Sequence, residues 1–280
     1  MNQVLRPLAS IMLLLVFMAG MAMAKDNEKK YEFADIHSIK ISAMTGSIKI
    51  HSGDVDKIIV DHKNDMEKPE KLILDMNANE GTLFIDETYG ENDPKGQTFW
   101  DISIPKDLKM KSFECFSGLD FIEIGEVDVE FIKCHAASGD LSINSVKSKE
   151  MDLTTTSGFL TVENCEIADI GKMVSSGGDV TVELPYIPAK KLHTASTSAD
   201  TYLTIDNFGE NFDITIMKNK NKGEIHSPFE CTESYTKRYD KNDLYETDYC
   251  IIKHGRGGPE IDMLTGYGKI IINEGAHSGK

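Results

Sequence analysis

Beyond its first two dozen residues the chain alternates apolar and polar positions in short runs. Ile132, Cys134 and Ala136 form one such run, and Met151, Leu153 and Thr155 the next. Further pairs follow at Leu141 and Ile143, Leu160 and Val162, Val180 and Val182, and Leu203 and Ile205. A period of two places alternate side chains on opposite faces of a strand, so each run predicts a short, half-buried β-strand. No sustained 3.6-residue stripe occurs after the leader, and β-branched residues and glycine abound, which argues against helices.

The runs are punctuated by a repeated Ser-Gly. Aligning on it gives "SFECFSGLDFIEI" from Ser112, "KCHAASGDLSI" from Lys133, "LTTTSGFLTV" from Leu153, "KMVSSGGDVTV" from Lys172 and the degenerate "TASTSADTYLTI" from Thr194. The anchor serines are Ser117, Ser138, Ser157, Ser176 and Ser198, spaced 21, 19, 19 and 22 residues apart. Units of about 20 residues cannot bury an apolar face alone, but stacked copies can. The pattern predicts an all-β fold, a single-stranded parallel β-helix or β-solenoid with coils of about 20 residues. Gly118, Gly139, Gly158 and Gly177 are expected to turn the chain through backbone angles that other residues avoid. A β-sandwich would alternate too, but has no reason to repeat one turn chemistry. A leucine-rich repeat would need regular leucines and asparagine.

The same grammar extends to both ends. "IHSIKISAMTGSIKIHSGDVDKIIVDH" alternates around Thr45-Gly46. "KLILDMNANEGTLFIDE" reads as a hairpin turning at Asn79-Glu80-Gly81, and "TFWDISIPKDL" as a strand stopped by Pro105. One mature domain, 25–280, is therefore expected: antiparallel or irregular N-terminal strands over 25–110, Ser-Gly coils over 111–217, a loop excursion over 218–259 and closing strands over 260–275.

Residues 1–24 change the picture of where the chain works. Arg6, an apolar run from Ile11 to Met18 and Ala22-Met23-Ala24 read as a secretory signal peptide. The unbroken apolar run is short for a membrane span, so no integral membrane segment is expected after cleavage. The 30 basic and 46 acidic residues give a net charge of −16, and −17 once Arg6 is removed. Such a surface repels phosphates, so nucleic acid is not an expected partner.

Five cysteines in an exported chain permit at least one disulfide. Cys231 and Cys250 bracket a polar, tyrosine-rich segment and are the candidate pair; Cys115 and Cys134 sit in apolar alternation, where cysteine serves as a small core residue. No Cys-x-x-Cys and no His-x-x-x-His pair occurs.

The order of "TGSIKI", "ISIP", serial Ser-Gly coils, "KGEIHSPFE" and "GRGGPEIDMLTGYGKII" resembles the bacterial putative-adhesin family, exported right-handed β-helix domains of unknown function. The likeness runs from about Phe33 to Ile272. It implies a right-handed coil, agreeing with the general preference of parallel crossovers, and supplies no catalytic residue. Ala199 replaces the expected glycine of the fifth coil, and the segment between Cys231 and Cys250 is longer than the family pattern requires.

A solenoid presents equivalent side chains in rows, so function should show as a row. Asp120, Asp140, Asp179 and Asp200 follow the turns. They suit either Ca²⁺ ligation, a glycosidase pair, or hydrogen bonds to turn backbone, and the last accounts for their positions. A hydroxyl-rich row (Thr154, Thr155, Thr156, Ser175, Ser176, Thr194, Ser196, Thr197, Ser198) offers a flat sugar-binding surface or merely satisfies turns and strands. "CTESYTKRYDKNDLYETDYC" carries Tyr235, Tyr239, Tyr245 and Tyr249 on a candidate binding loop, where tyrosine either grips a ligand or covers the flank.

With no hydrolase, nucleotide or metal motif, no catalytic residue, cofactor or metal is expected. The expected function is a non-catalytic exported β-helix protein of the bacterial envelope, periplasmic or extracellular, binding an unknown glycan or envelope protein as an adhesin or scaffold. The alternative is a polysaccharide lyase or hydrolase, which would need carboxylates and a base such as Arg238 or Arg256 converging on one coil face.

Overall fold

The computed structural model describes residues 28–90, 95–238 and 246–275; the leader expected over 1–24 lies outside them. The chain alternates between two sheets that bury their inner faces in one continuous core. In the first sheet the short strands Ile122–Gly125, Leu141–Asn144, Leu160–Glu163, Val180–Tyr186 and Thr201–Asn207 lie parallel and in sequence order. In the second, so do Met110–Ser117, Asp128–Ala136, Lys147–Thr155, Glu166–Ser175 and Lys191–Ser196. Each coil thus crosses from the second sheet to the first and returns, and each residue pairs with its equivalent one coil along. The core is built of rows: Ile48, Ile122, Leu141, Leu160, Val180, Thr201 and Ile270 form one. Ile41, Cys115, Cys134, Leu153 and Met173 form another.

Both sheets are mixed at their ends, and the coils there do not stack in sequence order. The first coil, Ser38–Ala43 and Gly46–Gly53, is inserted between Met110–Gly125 and the later strands Thr82–Tyr89 and Thr98–Pro105. The closing coil, Glu260–Thr265 and Ile270–Glu274, is inserted between Lys191–Asn207 and the earlier strand Phe212–Asn219. Antiparallel strands finish each end, except that the first sheet closes beyond Ile270–Glu274 with the short parallel strand Ile225–His226. Leu72–Asn79 pairs with Thr82–Tyr89 through Glu80 and Gly81, both at positive φ, forming the expected hairpin. At the other end, the region expected as a loop excursion contains Ile225–His226, Glu233–Lys237 and Thr247–His254, the last pairing antiparallel with Phe212–Asn219. A solenoid end exposes unpaired strand edges and core; antiparallel additions and the Phe208, Phe212, Phe229 and His254 ring cluster cover it.

The turn from second sheet to first has a constant length, and it corrects the Ser-Gly alignment. Ser117, Ala136, Thr155, Ser175, Ser196 and Thr265 are equivalent by strand register. Five residues later the first-sheet strand begins its inward row in every coil. Ser117 therefore matches Ala136 and not Ser138, and Ser176 is one position out of phase with Ser157. The true periods are 19, 19, 20 and 21 residues, the 20 arising from an extra residue between Ile167 and Ile170 opposite Ser148–Glu150.

The hydroxyls at this position are buried and bind twice. Thr155 donates to the Gly139 carbonyl of the preceding coil (3.1 Å) and accepts from Gly158 N–H (3.1 Å). Ser175 repeats this with Gly158 and Gly178, Ser196 with Gly178 and Ala199, and Thr265 with Ala199 and Gly268. In the first coil the equivalent residue is Ala43, and beside it the buried carboxylate of Glu87 accepts from Thr45 N–H (2.9 Å) and Trp100 Nε1 (2.7 Å). The glycines do not supply unusual angles: Gly118, Gly139, Gly158 and Gly177 all have negative or extended φ. Gly139, Gly158 and Gly178 are needed because a Cβ would overlap the carbonyl of the coil before. Left-handed backbone occurs instead at the return turn, on Glu126, Ser145 and Asn164, 19 residues apart with φ of 53–57°.

Gly158→Val is expected to lower the melting temperature by an amount worth about 3 kcal/mol. Gly177→Val, whose Cβ would lie 3.2 Å from the Thr156 carbonyl, should cost less; calorimetric melts of the two variants check the order. A second expectation concerns pH. His62 is 3% exposed, its ring lies tilted by 33° with its centre 4.2 Å from that of Trp100, and its Nε2 has no partner among the described residues. Burial pushes its pKa below the ordinary 6.5, so the unfolded chain takes the proton first. Its contribution is complete above pH 6.5 and is lost as pH falls through the lower folded value. Urea midpoints should drop on acidification below 6.5, and less so in His62→Phe.

Candidate functional site

In-register stacking turns the outer face of the second sheet into three parallel rows. The middle row runs Lys40, Glu114, Lys133, Asp152, Lys172, His193 and Asp262 across successive strands. Its charges alternate. Lys40 pairs with Glu114 at 2.7 Å and Lys172 with Asp152 at 2.9 Å, while Asp262 takes Lys191 at 2.6 Å. A second ladder lies at the return turn, where Lys109, Asp128, Lys147 and Glu166 are 19 residues apart and pair at 3.8 Å (Lys109–Asp128) and 3.0 Å (Lys147–Glu166). Like charges on adjacent strands repel, so an acidic chain stacked in register needs this alternation. Lys133 stands apart: Glu114 pairs with Lys40 and Asp152 with Lys172, and among the described residues the Lys133 ammonium has no ion pair.

Beside the charge ladder runs an aromatic and apolar stripe. Phe116, His135, Thr154, Val174, Ala195, Leu264, Met217, Tyr249 and Tyr235 share one outward row. At roughly 4.8 Å per strand the stripe is about 40 Å long. Phe116 and His135 stack with ring centres 5.6 Å apart and planes 8° from parallel; Tyr235 and Tyr249 stack at 4.7 Å and 10°. On the other side of the ladder lie Phe131 and Ile170, exposed by 40% and 36%, with the Lys149 ammonium 5.8 Å from the Phe131 ring centre. Two shallow grooves of about 400 Å³ each flank the ladder, and Glu114 and Lys133 line both.

The expected site residues fall into place around this face. Tyr235 and Tyr249 belong to the stripe, Tyr249 with 9% exposure and Tyr235 with 43%; Tyr239 and Tyr245 lie outside the described residues. Cys231 and Cys250 are bonded, with Cα atoms 5.5 Å apart, tethering the lead-in to Glu233–Lys237 onto the strand below. Cys115, Cys134 and Cys165 are buried free thiols in core rows, and burial pushes the Cys165 thiol up to about 11.

The aspartates do not converge on an ion. Asp140 accepts from Phe159 N–H (2.8 Å), Asp179 from Asp200 N–H (2.9 Å) and Asp200 from Lys269 N–H (2.7 Å), each reaching the next coil. Asp120 accepts from Ser47 Oγ and from Phe121 N–H. Among the described residues no three His, Cys, Asp or Glu side chains group to hold a metal. Three of the nine residues of the hydroxyl row, Thr155, Ser175 and Ser196, are buried in turn hydrogen bonds and face no ligand. His51, Asp101 and Ser103 meet on the first sheet, but Asp101 (2.9 Å) and Ser103 (3.4 Å) both approach Nε2, so the imidazole cannot relay a proton between them.

A family model, Toastrack DUF4097, matches residues 47–250. The chain belongs to the Toastrack DUF4097 family. This agrees with the resemblance of its motif order to the putative-adhesin family. Three crystal structures are similar to this Toastrack chain. A putative adhesin from Bacteroides fragilis is 12% identical over 88% of this chain and 95% of its own, with a TM-score of 0.43. A putative cell adhesion protein from Clostridium sporogenes is 12% identical over 89% and 99%, with 0.36. A putative lipid binding protein from Parabacteroides distasonis is 15% identical over 89% and 97%, also with 0.36. No curated protein matches the Toastrack chain. Among its described residues no helix is long and apolar enough to cross a membrane.

The ladder makes a test of its own. Lys147→Glu places three acids in succession between Asp128 and Glu166 and should destabilise the chain by about 1 kcal/mol. The loss should shrink in 1 M salt, where exposed charges are screened; thermal melts at two ionic strengths check it.

Proposed function

We propose that the chain is a non-catalytic binding module of the bacterial envelope, exported as a right-handed solenoid, whose working surface is the outer face of the second sheet. The observation that carries this reading is the 40 Å stripe from Phe116 to Tyr235, about eight strand spacings long, lying open beside a ladder of mostly satisfied charges. Stacked rings hold one another in place and so present apolar edges with little rotamer freedom to lose, which suits recognition of an extended partner. The row of neutralised charges beside it costs little to approach. An envelope glycan or protein strand laid across the coils would meet ring pairs at the two ends of the stripe and small or aliphatic side chains between them. Tyr235 and Tyr249, the described tyrosines of the segment between Cys231 and Cys250, end the stripe.

An array of glycans and cell-wall fragments tests this. The chain should bind at least one class, and Phe116→Ala should weaken that binding about tenfold, the usual size for an aromatic anchor. Unchanged binding in Phe116→Ala, with the melting temperature preserved, would move the site off this face.

A further inference from the structure

The strand Asp128–Ala136 presents Phe131, Lys133 and His135 outward at every second residue, a cation between two rings. Each ring is reinforced: His135 stacks on Phe116 of the neighbouring strand, and Lys149 lies over Phe131. Lys133 lines both grooves and lacks a carboxylate partner among the described residues, since Lys40 and Lys172 take the two acids beside it. The grooves also carry Asp86 and Glu150, so the surface there stays acidic overall, and Lys133 is the one groove lysine whose ammonium is not already held by Glu114 or Asp152. From this we infer that the face takes a carboxylate-bearing saccharide, with Lys133 binding the acid group and the Phe116–His135 pair and Phe131 supporting sugar faces in the two grooves.

The grooves are shallow, so an acyl chain would stay largely in water, where a pocket for it should enclose it. A sugar ring needs only one face covered, and a bound acid group satisfies Lys133 without displacing an existing ion pair.

The inference rests on the binding-face reading but can fail separately. Isothermal titration of the full chain would use an oligogalacturonate, its fully methyl-esterified form, polyglutamate and oleate-containing vesicles. The acid form should bind at least about tenfold more tightly than the ester, the scale of one charge-assisted hydrogen bond. Lys133→Gln should abolish that preference, Lys133→Arg should keep it, and Lys172→Gln, whose parent lysine is already paired, should leave it nearly unchanged. Equal affinity for acid and ester, or an undiminished preference in Lys133→Gln, overturns the inference. So does Lys133-dependent capture of polyglutamate or vesicles with the oligogalacturonate silent. Binding of neutral saccharides that Phe116→Ala abolishes and Lys133→Gln spares removes the acidic class and retains the face. Silence from every saccharide on the array overturns the inference and leaves a protein strand as the partner of the face.

Discussion

Each side chain in the coiled region has its own equivalent as nearest neighbour, one strand spacing away, and the structure follows from what that adjacency permits. Apolar residues gain from it: Ile, Leu and Val stack on one another down the core rows, and no core position needs a unique partner. Buried hydroxyls gain as well, because each lies within reach of both its own turn N–H and the carbonyl of the coil before. Charges do not gain. An acid stacked on an acid is penalised at every step, and a chain with an acidic excess meets that penalty unless the sign alternates. Lys109, Asp128, Lys147 and Glu166 meet the requirement, as does the row from Lys40 to Lys172. Because only one register brings unlike charges together, the ladders also disfavour a coil slipped by one residue.

Adjacency creates a difficulty at the ends, where the last coil has no equivalent to stack on. Both ends meet it the same way: a coil distant in sequence is inserted beneath the terminal one, and antiparallel strands are laid outside. The first coil is held by the buried Glu87 carboxylate, which gathers Thr45, Thr98 and Trp100. Removing an end coil therefore means breaking the strands on both of its sides, so fraying cannot proceed from the terminus inward one rung at a time. The disulfide between Cys231 and Cys250 acts on the outermost strand of the second sheet, where pairing on one side only would otherwise leave it weakest.

Much of this was legible in the sequence. Alternation around Ile132 to Ile143 identified strands, inner faces and the approximate period, because burial on one face of a strand leaves a period of two. The phase of the repeat was not legible from Ser-Gly, since that dipeptide occupies different turn positions in different coils: Ser117 is the buried hydroxyl, whereas Ser138 and Ser157 are exposed. The more reliable marks were the steric glycines Gly139, Gly158 and Gly178 and the 19-residue spacing of Lys109, Asp128, Lys147 and Glu166. The insertion of the end coils could not be read at all, because it depends on pairing between segments whose own alternation is alike. The region from Lys218 to Pro259 looked irregular because its strands are short and polar, as edge strands are.

The candidate site was legible in its parts but not in its assembly. Tyr235 and Tyr249 drew attention as a loop, yet they end a row that starts at Phe116, over a hundred residues earlier, and only the strand register joins them. Lys133 carried no motif. Its significance comes from counting: alternating charges satisfy themselves in pairs, and once Lys40 has taken Glu114 and Lys172 has taken Asp152, the cation between the two acids is left over. A ladder serving register alone would gain from sharing these carboxylates evenly along the row. Here the leftover charge falls between Phe131 and His135, where the rings flank it, and the proposed binding face rests on that coincidence of an unsatisfied cation with aromatic neighbours.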